Sequence, residues 1–338
     1  MRRTIYAFLL IISTGVYLPP AQACDLCGVH QAFHESNFVD GRLRVGVSER
    51  LTTLDKIQHS GHFMENAGPE KLESSITQLQ GSYDLSDSFG LSLTLPYISR
   101  RFRQLGEEEI SRGTESGIGD ATLLFRVEAL RAGEGAQYLA LIPYFGLKIP
   151  TGDSERLKEN HTEAGHSDEM PAMTNASMMR RIVPYHGDEP MSAIHPHDLA
   201  LGSGSWDFPI GLGVSAGQDR FLVRANLGYT FRTEGDHDYR YADDLTWEVV
   251  PSFVAYSEEG KSLSVGLAYS GEHKGKDELA GVKDGDTSIT ATFLGPVLAY
   301  QMGDFSFDGG VHFPANIENS GHQLVPGTRY ILGISYSF

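Results

Sequence analysis

The stretch Thr328-Arg329-Tyr330-Ile331-Leu332-Gly333-Ile334-Ser335-Tyr336-Ser337-Phe338 alternates with a period of two. Tyr330, Leu332, Ile334, Tyr336 and Phe338 share one face, and Arg329, Gly333, Ser335 and Ser337 share the other. Successive side chains of a strand point to opposite faces, so this is a strand with one apolar and one polar side. The pattern recurs at Phe221, Val223, Ala225, Leu227, Tyr229 and Phe231 against Arg224, Asn226, Gly228, Thr230 and Arg232. It recurs again at Leu263, Val265, Leu267 and Tyr269 against Ser264, Gly266, Ala268 and Ser270. A sandwich alternates in the same way, because one face of each sheet is buried, so periodicity alone gives an all-β chain and no more.

The connections separate the two architectures. Strands are expected at about 41–54, 73–84, 90–103, 117–131, 136–150, 204–217, 220–233, 243–257, 261–274, 286–302, 303–313 and 327–338. That is roughly 12, an even number within the outer-membrane range. Every second connection is tight: 86–88, 132–135, 217–219, 258–260 and 302–304. The others are long and polar: 55–72, 104–116, 151–203, 234–242, 275–285 and 314–326. Short turns at one end and long loops at the other predict a transmembrane antiparallel β-barrel with periplasmic turns, and a sandwich has no reason to sort them.

Composition agrees. The 38 glycines, 15 tyrosines and only two cysteines among 338 residues suit many strands and tight turns. A formal net charge of -17 argues against nucleic acid as a partner. Residues 1–23 read as a secretory signal: Arg2 and Arg3, an apolar run from Ile5 to Val16, then Ala21-Gln22-Ala23 before Cys24. The organisation expected is a signal peptide at 1–23, a periplasmic segment at 24–37 and a barrel at 38–338 with a long outer loop at 151–203. Lipidation of a mature Cys24 is a rival reading, which Gln22 and the lack of Leu at Ala21 make a poor one. The destination is the outer membrane of a Gram-negative bacterium, with outer-membrane lipid as solvent. The terminal Phe338 resembles the signal by which the barrel-assembly machinery recognises its clients.

Three strings, in order, carry a family resemblance: Ser116-Gly117-Ile118-Gly119-Asp120, Lys148-Ile149-Pro150-Thr151-Gly152-Asp153, and Leu201-Gly202-Ser203-Gly204-Ser205-Trp206-Asp207. Over residues 75–338 the chain resembles the outer-membrane channel family named for a meta-pathway of phenol degradation, distant relatives of fatty-acid and toluene channels. The opening Ala23-Cys24-Asp25-Leu26-Cys27-Gly28 is similar to a subgroup with a cysteine-containing mature N-terminus. The resemblance implies a barrel that lets small molecules cross, with no catalytic motif to carry over. On their own residues, the strings suit strand ends, where glycine allows a bend and a short acid accepts backbone hydrogen bonds. Trp206 suits an interfacial anchor.

Two groups could hold a metal cofactor, copper or zinc. Cys24, Cys27 and His30, with His34 following, have a C-x2-C-x2-H spacing that suits zinc or copper(I). A Cys24–Cys27 disulfide is the alternative in an oxidising compartment. Haem attachment is excluded, because Gly28 stands where that motif needs His. The loop 151–203 holds five of 13 histidines (His161, His166, His186, His195, His197) and five of eight methionines (Met170, Met173, Met178, Met179, Met191). Imidazole and thioether together suit copper. Against this, the spacing is irregular and acids such as Glu163 and Asp168 attract any cation, so a solvated loop is the plain alternative. His59, His62 and Met64 lie in the first long loop, on the same expected side.

On the polar strand faces, Arg224, Asn226, Thr230, Arg232, Asp308 and His312 would wet a lumen. Twelve strands predict a narrow pore, partly occupied by the N-terminal segment. The chain has no G-x-S-x-G and no P-loop, and no enzyme is expected. The leading function is passive passage of a small-molecule solute. The alternatives are a metal-binding or metal-handling platform and a soluble secreted β-sandwich.

Overall fold

A computed structural model describes residues 41–106, 110–160 and 192–338, with the backbone of the short strands Tyr185–His186 and Glu189–Pro190. Twelve strands form the wall: β1 (Leu43–His59), β2 (Lys71–Ser86), β3 (Phe89–Leu105), β4 in three pieces (Ile110–Ile118, Ala121–Val127, Leu130–Glu134), β5 (Gln137–Ile149), β6 (Phe208–Gln218), β7 (Phe221–Phe231), β8 (Asp244–Glu258), β9 (Lys261–Lys274), β10 (Ile289–Met302), β11 (Phe305–Asn319) and β12 (His322–Ser337). Each pairs antiparallel with the next, and β12 returns to β1 with Ile334 opposite Val47. The sheet is therefore a closed antiparallel barrel, and the sandwich alternative is overturned, since a sandwich keeps edge strands that this ring does not have.

The two faces of the wall differ as the alternation requires. On β1, Leu43, Val45, Val47 and Leu51 point outward and are exposed, whereas Arg44 and Arg50 point inward and are buried. Leu79, Leu93, Leu212, Leu267, Leu298 and Leu332 continue the apolar exterior around the ring. A contiguous apolar girdle of this extent belongs against lipid. Among the described residues no helix is long and apolar enough to cross a membrane. One acid interrupts the girdle: Glu49 accepts hydrogen bonds from the hydroxyls of Ser75 and Thr77 beside it.

Strand length fixes how the barrel sits. The apolar face of β1 runs from Leu43 to Leu51, close to the 9–11 residues, roughly, that a tilted strand needs to cross, yet β1 has 17 residues. The girdle begins at once at the turn end, where Leu43, Phe89, Phe305 and Phe338 are exposed. The surplus therefore projects at the other end.

That projection corrects the loop expectations. Residues 104–116 are mostly strand, because β3 runs to Leu105 and β4 starts at Ile110. Residues 314–326 are two strands joined through Ser320 and Gly321, whose φ of 63 only glycine adopts readily. The stretch 55–72 likewise continues β1 to His59 and adds the strand His62–Met64 against it. Above the bilayer neither face of the wall meets lipid, so the period-two signal fades while the hydrogen-bond ladder continues.

Candidate functional site: the barrel interior and its closing segment

The interior is widest at the turn end. There a cavity of about 450 Å³ is lined by Arg42, Arg44, Arg126, Arg224, Asp308 and a rim of serines. Asp84 lies behind it, accepting both terminal nitrogens of Arg44 at 3.0 Å and Arg126 at 3.4 Å. Higher up, the space contracts to about 80 Å³ and then about 100 Å³. Tyr144 crosses the interior at this level. It fits only because Gly211 and Gly228 leave room: a Cβ on Gly211 would stand 2.3 Å from the Tyr144 ring.

Of the lumen residues expected from sequence, Arg224, Asn226, Asp308 and His312 line the middle space. Arg232 lines the upper one and is spoken for, its Nη1 donating to Asp207 and its Nε to Asp244, both at 2.8 Å.

The three strings that carry the family resemblance converge on one clasp. Lys148 ends β5, and its ammonium has three donors. Its Nζ lies 2.7 Å from Asp120, 2.7 Å from Ser203 Oγ and 2.8 Å from Asp207. Asp120 also accepts the backbone N–H of Gly152 at 3.0 Å and of Ser203 at 2.9 Å. Gly152 and Gly202 touch backbone to backbone, since a Cβ on Gly152 would stand 2.7 Å from Gly202 Cα. Strand-end chemistry thus extends to tying together the two ends of the 58-position gap that separates Ile149 from Phe208.

Residues 192–201 lie inside the projecting end of the wall. Ala193, Ile194 and Leu199 pack on Leu54, Ile57, Leu72, Phe102 and Leu324, all buried. Burying Ile194 and Leu199 stabilises the segment by about 1.5–3 kcal/mol each. Glu70, itself buried, accepts from Ser192 Oγ, Ala193 N and Leu105 N, which anchors the segment to the wall. Arg100 donates to the carbonyls of Asp198 and Ala200. Leu157, Ala200, Tyr239 and Tyr241 pack together beside this segment. The solvated-loop alternative fails for residues 192–203, whose apolar side chains find buried partners inside the wall, while in 151–160 Leu157 is buried among Ala200, Tyr239 and Tyr241.

His195 caps the N-terminus of the four-residue helix Pro196–Leu199 and His197 lies within it; they are 7% and 3% exposed. Their rings stack with centroids 5.3 Å apart, 7° from parallel. Asp198 Oδ1 lies 3.3 Å from His197 Nε2, and Oδ2 lies 3.7 Å from His195 Nδ1 and accepts the His195 backbone N–H at 2.9 Å. Burial pushes the His197 imidazole below its ordinary value, against the pull of Asp198. Burial opposes the charge on Asp198, but His197 and His195 outweigh it and hold the carboxyl below the usual carboxylate range. The sequence singled out the two histidines without Asp198; the spacing His-x-His-Asp was the available signal.

Other expected ligands lie outside the described residues: Cys24, Cys27, His30, His34, His161, His166, Met170, Met173, Met178, Met179 and Met191, with the side chain of His186. The signal peptide and the N-terminal segment lie outside them too. His59 and His322 face each other near the outer rim, ring centroids 6.1 Å apart.

A family model described as "Putative MetA-pathway of phenol degradation" matches residues 190–322. That range includes Leu201–Asp207 but is narrower than the 75–338 over which the resemblance was read. The COG4313 outer membrane channel from Pseudomonas putida F1 has the same fold, with a TM-score of 0.62 and 17% identity over 92% of this chain and 100% of that one. The transport unit of the autotransporter AIDA-I from Escherichia coli gives a TM-score of 0.44 at 12% identity, over 98% of this chain and 97% of that one. A FadL homologue from Pseudomonas aeruginosa gives 0.35 at 11%, over 88% and 90%. No curated protein matches the chain. The chain is a closed antiparallel β-barrel with an apolar exterior and the fold of an outer membrane channel, and over residues 190–322 it resembles the family named for phenol degradation.

Proposed function

We propose that the barrel is a channel, not an enzyme, through which a small anionic solute diffuses passively when the segment 192–201 leaves the outer end. The observation that carries this reading is the cavity of about 450 Å³ inside the barrel, with four arginines and one aspartate in its lining. Counting Asp84 behind Arg44 and Arg126, that zone keeps an excess of two positive charges in a chain whose net charge is -17. A lining of one sign raises the local concentration of the opposite ion and passes it preferentially. The likeness in fold to an outer membrane channel supports the same reading.

Purified protein in a planar bilayer tests it. Expected are brief conductance steps whose reversal potential in a salt gradient has the sign of anion selectivity. A silent bilayer with the native chain and with a variant lacking residues 192–201 would refute the channel. Cation selectivity would refute the solute class alone. Assembly into the membrane through the barrel-assembly machinery, with β12 and its outward, 72% exposed Phe338 as the recognised strand, belongs to the same proposal.

A further inference from the structure

We propose that His195, His197 and Asp198 form a binding site for one divalent transition-metal ion of the zinc type within the closing segment. Nitrogen and carboxylate oxygen are the donors such an ion takes, with bonds of about 2.0–2.2 Å. Tetrahedral ligands at those bond lengths lie about 3.4 Å from one another. Here the carboxylate oxygens of Asp198 already stand 3.3 Å from His197 Nε2 and 3.7 Å from His195 Nδ1. One donor atom from each of the three residues falls within 4.8 Å of the others. Closing that spacing takes ring rotation rather than a move of the backbone.

A second observation points to a ligand independently of the spacing. His197 Nδ1 is buried and has no hydrogen-bond partner among the described residues, on a side chain only 3% exposed. A buried polar nitrogen left without a partner costs about 1–3 kcal/mol. Capping chemistry explains Asp198, whose carboxylate accepts the His195 N–H, but leaves that nitrogen without a partner. An ion bound there supplies one once the His197 ring turns to bring Nδ1 to the Asp198 side.

Two bases lie nearby and both are engaged: Arg100 donates to the carbonyls of Asp198 and Ala200, and Lys274, over the Tyr241 ring, donates from Nζ to Asp277 at 2.7 Å. Tyr239 stacks on His197 with centroids 6.1 Å apart and walls that side with an aromatic face. His195 and Asp198 come from the two ends of one helical turn, so the site is local to the segment and needs no residue of the strands.

The test uses the full chain in detergent with Cys24→Ser and Cys27→Ser, which removes the other candidate ligand set. Cobalt(II) and zinc(II) are the probes: cobalt for its visible ligand-field bands, zinc for competition against it. Expected is one ion per chain in this parent, with affinity at least tenfold weaker in His197→Gln and in His195→Gln. Glutamine keeps the size and polarity of the side chain, and a β-sheet circular dichroism spectrum equal to the parent's shows that each variant is folded. Equal affinity in parent and both variants, or no ion bound by the parent, overturns the site. Binding that is present only when Cys24 and Cys27 are intact overturns it as well, and assigns the ion to the N-terminal segment.

Discussion

The two ends of this barrel are built on different principles. At the turn end the wall is its own support: an apolar exterior, a polar interior and a cavity of about 450 Å³ with few side chains crossing it. At the projecting end the inner face of the wall is apolar and packed, with Leu54, Leu72 and Phe102 buried against Ile194 and Leu199. One end is stabilised by lipid outside and the other by a segment inside. Opening the outer end therefore means undoing a small core, and leaves the membrane-embedded half untouched.

The wall at the turn end should fail most steeply when its two faces are confused. Ile334 lies midway along the outward face that runs from Tyr330 on β12 to Phe338, and a charge at mid-bilayer on a lipid face costs on the order of 2–4 kcal/mol. Ile334→Arg should sharply lower the yield of folded barrel in membrane fractions. Ser335→Arg, aimed into the wide cavity, should lower it little. Equal losses would mean that the register of Ser335 opposite Gly46 is wrong.

The same contrast explains what the sequence made legible. In the lipid-spanning half, alternation is enforced by two solvents, so Tyr330 to Phe338 and Phe221 to Phe231 identified strand, face and architecture. Above the membrane the constraint lapses, and β11 and β12 continue through Pro314 to Pro326 without a readable period. The twelve strands and their tight turns were visible, and the closing segment was not. Its anchor Glu70 and its partner Ser192 are 122 positions apart, and no local pattern links them. The strings around Asp120, Lys148 and Ser203 were visible as strings, but their meeting in one clasp depends on the barrel being closed.

The outer end can be loosened without touching the wall. Glu70 holds Ala193 and Ser192, and removing an acceptor from buried donors costs about 1–3 kcal/mol, where 1.4 kcal/mol is about tenfold in an equilibrium. Glu70→Ala should raise channel open probability by about tenfold, with Glu70→Gln between it and the parent. Unchanged open probability would show that the apolar contacts of Ile194 and Leu199 hold the segment unaided.

A weaker lever is the clasp. Gly152→Val places side-chain atoms where Gly202 backbone lies, with 2.7 Å from Cβ to Gly202 Cα. Forcing that contact apart costs about 1–3 kcal/mol, as overpacking generally does. The Lys148–Asp120 pair still holds the two ends, so a several-fold rise in open probability is expected, smaller than for Glu70→Ala. Closure as tight as the parent's would mean that the two ends of the connection are held by Lys148 and Asp120 and not by the glycine contact.

The smallest effect is expected where the barrel is widest. Arg224 lines both the wide cavity and the space above it, so a solute passes it before and after the narrowing. Arg224→Glu changes the local charge by two and cancels the excess of two counted for the turn end. Water in a cavity of this size screens the change, and unit charges about 4 Å apart in water interact by about 1 kcal/mol. The ratio of anion to cation permeability should therefore fall several-fold towards unity, read as a shift in reversal potential, while open probability stays that of the parent because the closing segment is untouched. Dependence on salt sharpens the test: the shift should shrink as ionic strength rises, since the Debye length drops from about 30 Å at 0.01 M to about 3 Å at 1 M. A variant that keeps the parent's selectivity at low salt would place the selective step at the outer end, beside Arg232 and Asp207, and would make the packed half of the barrel the part that chooses the solute.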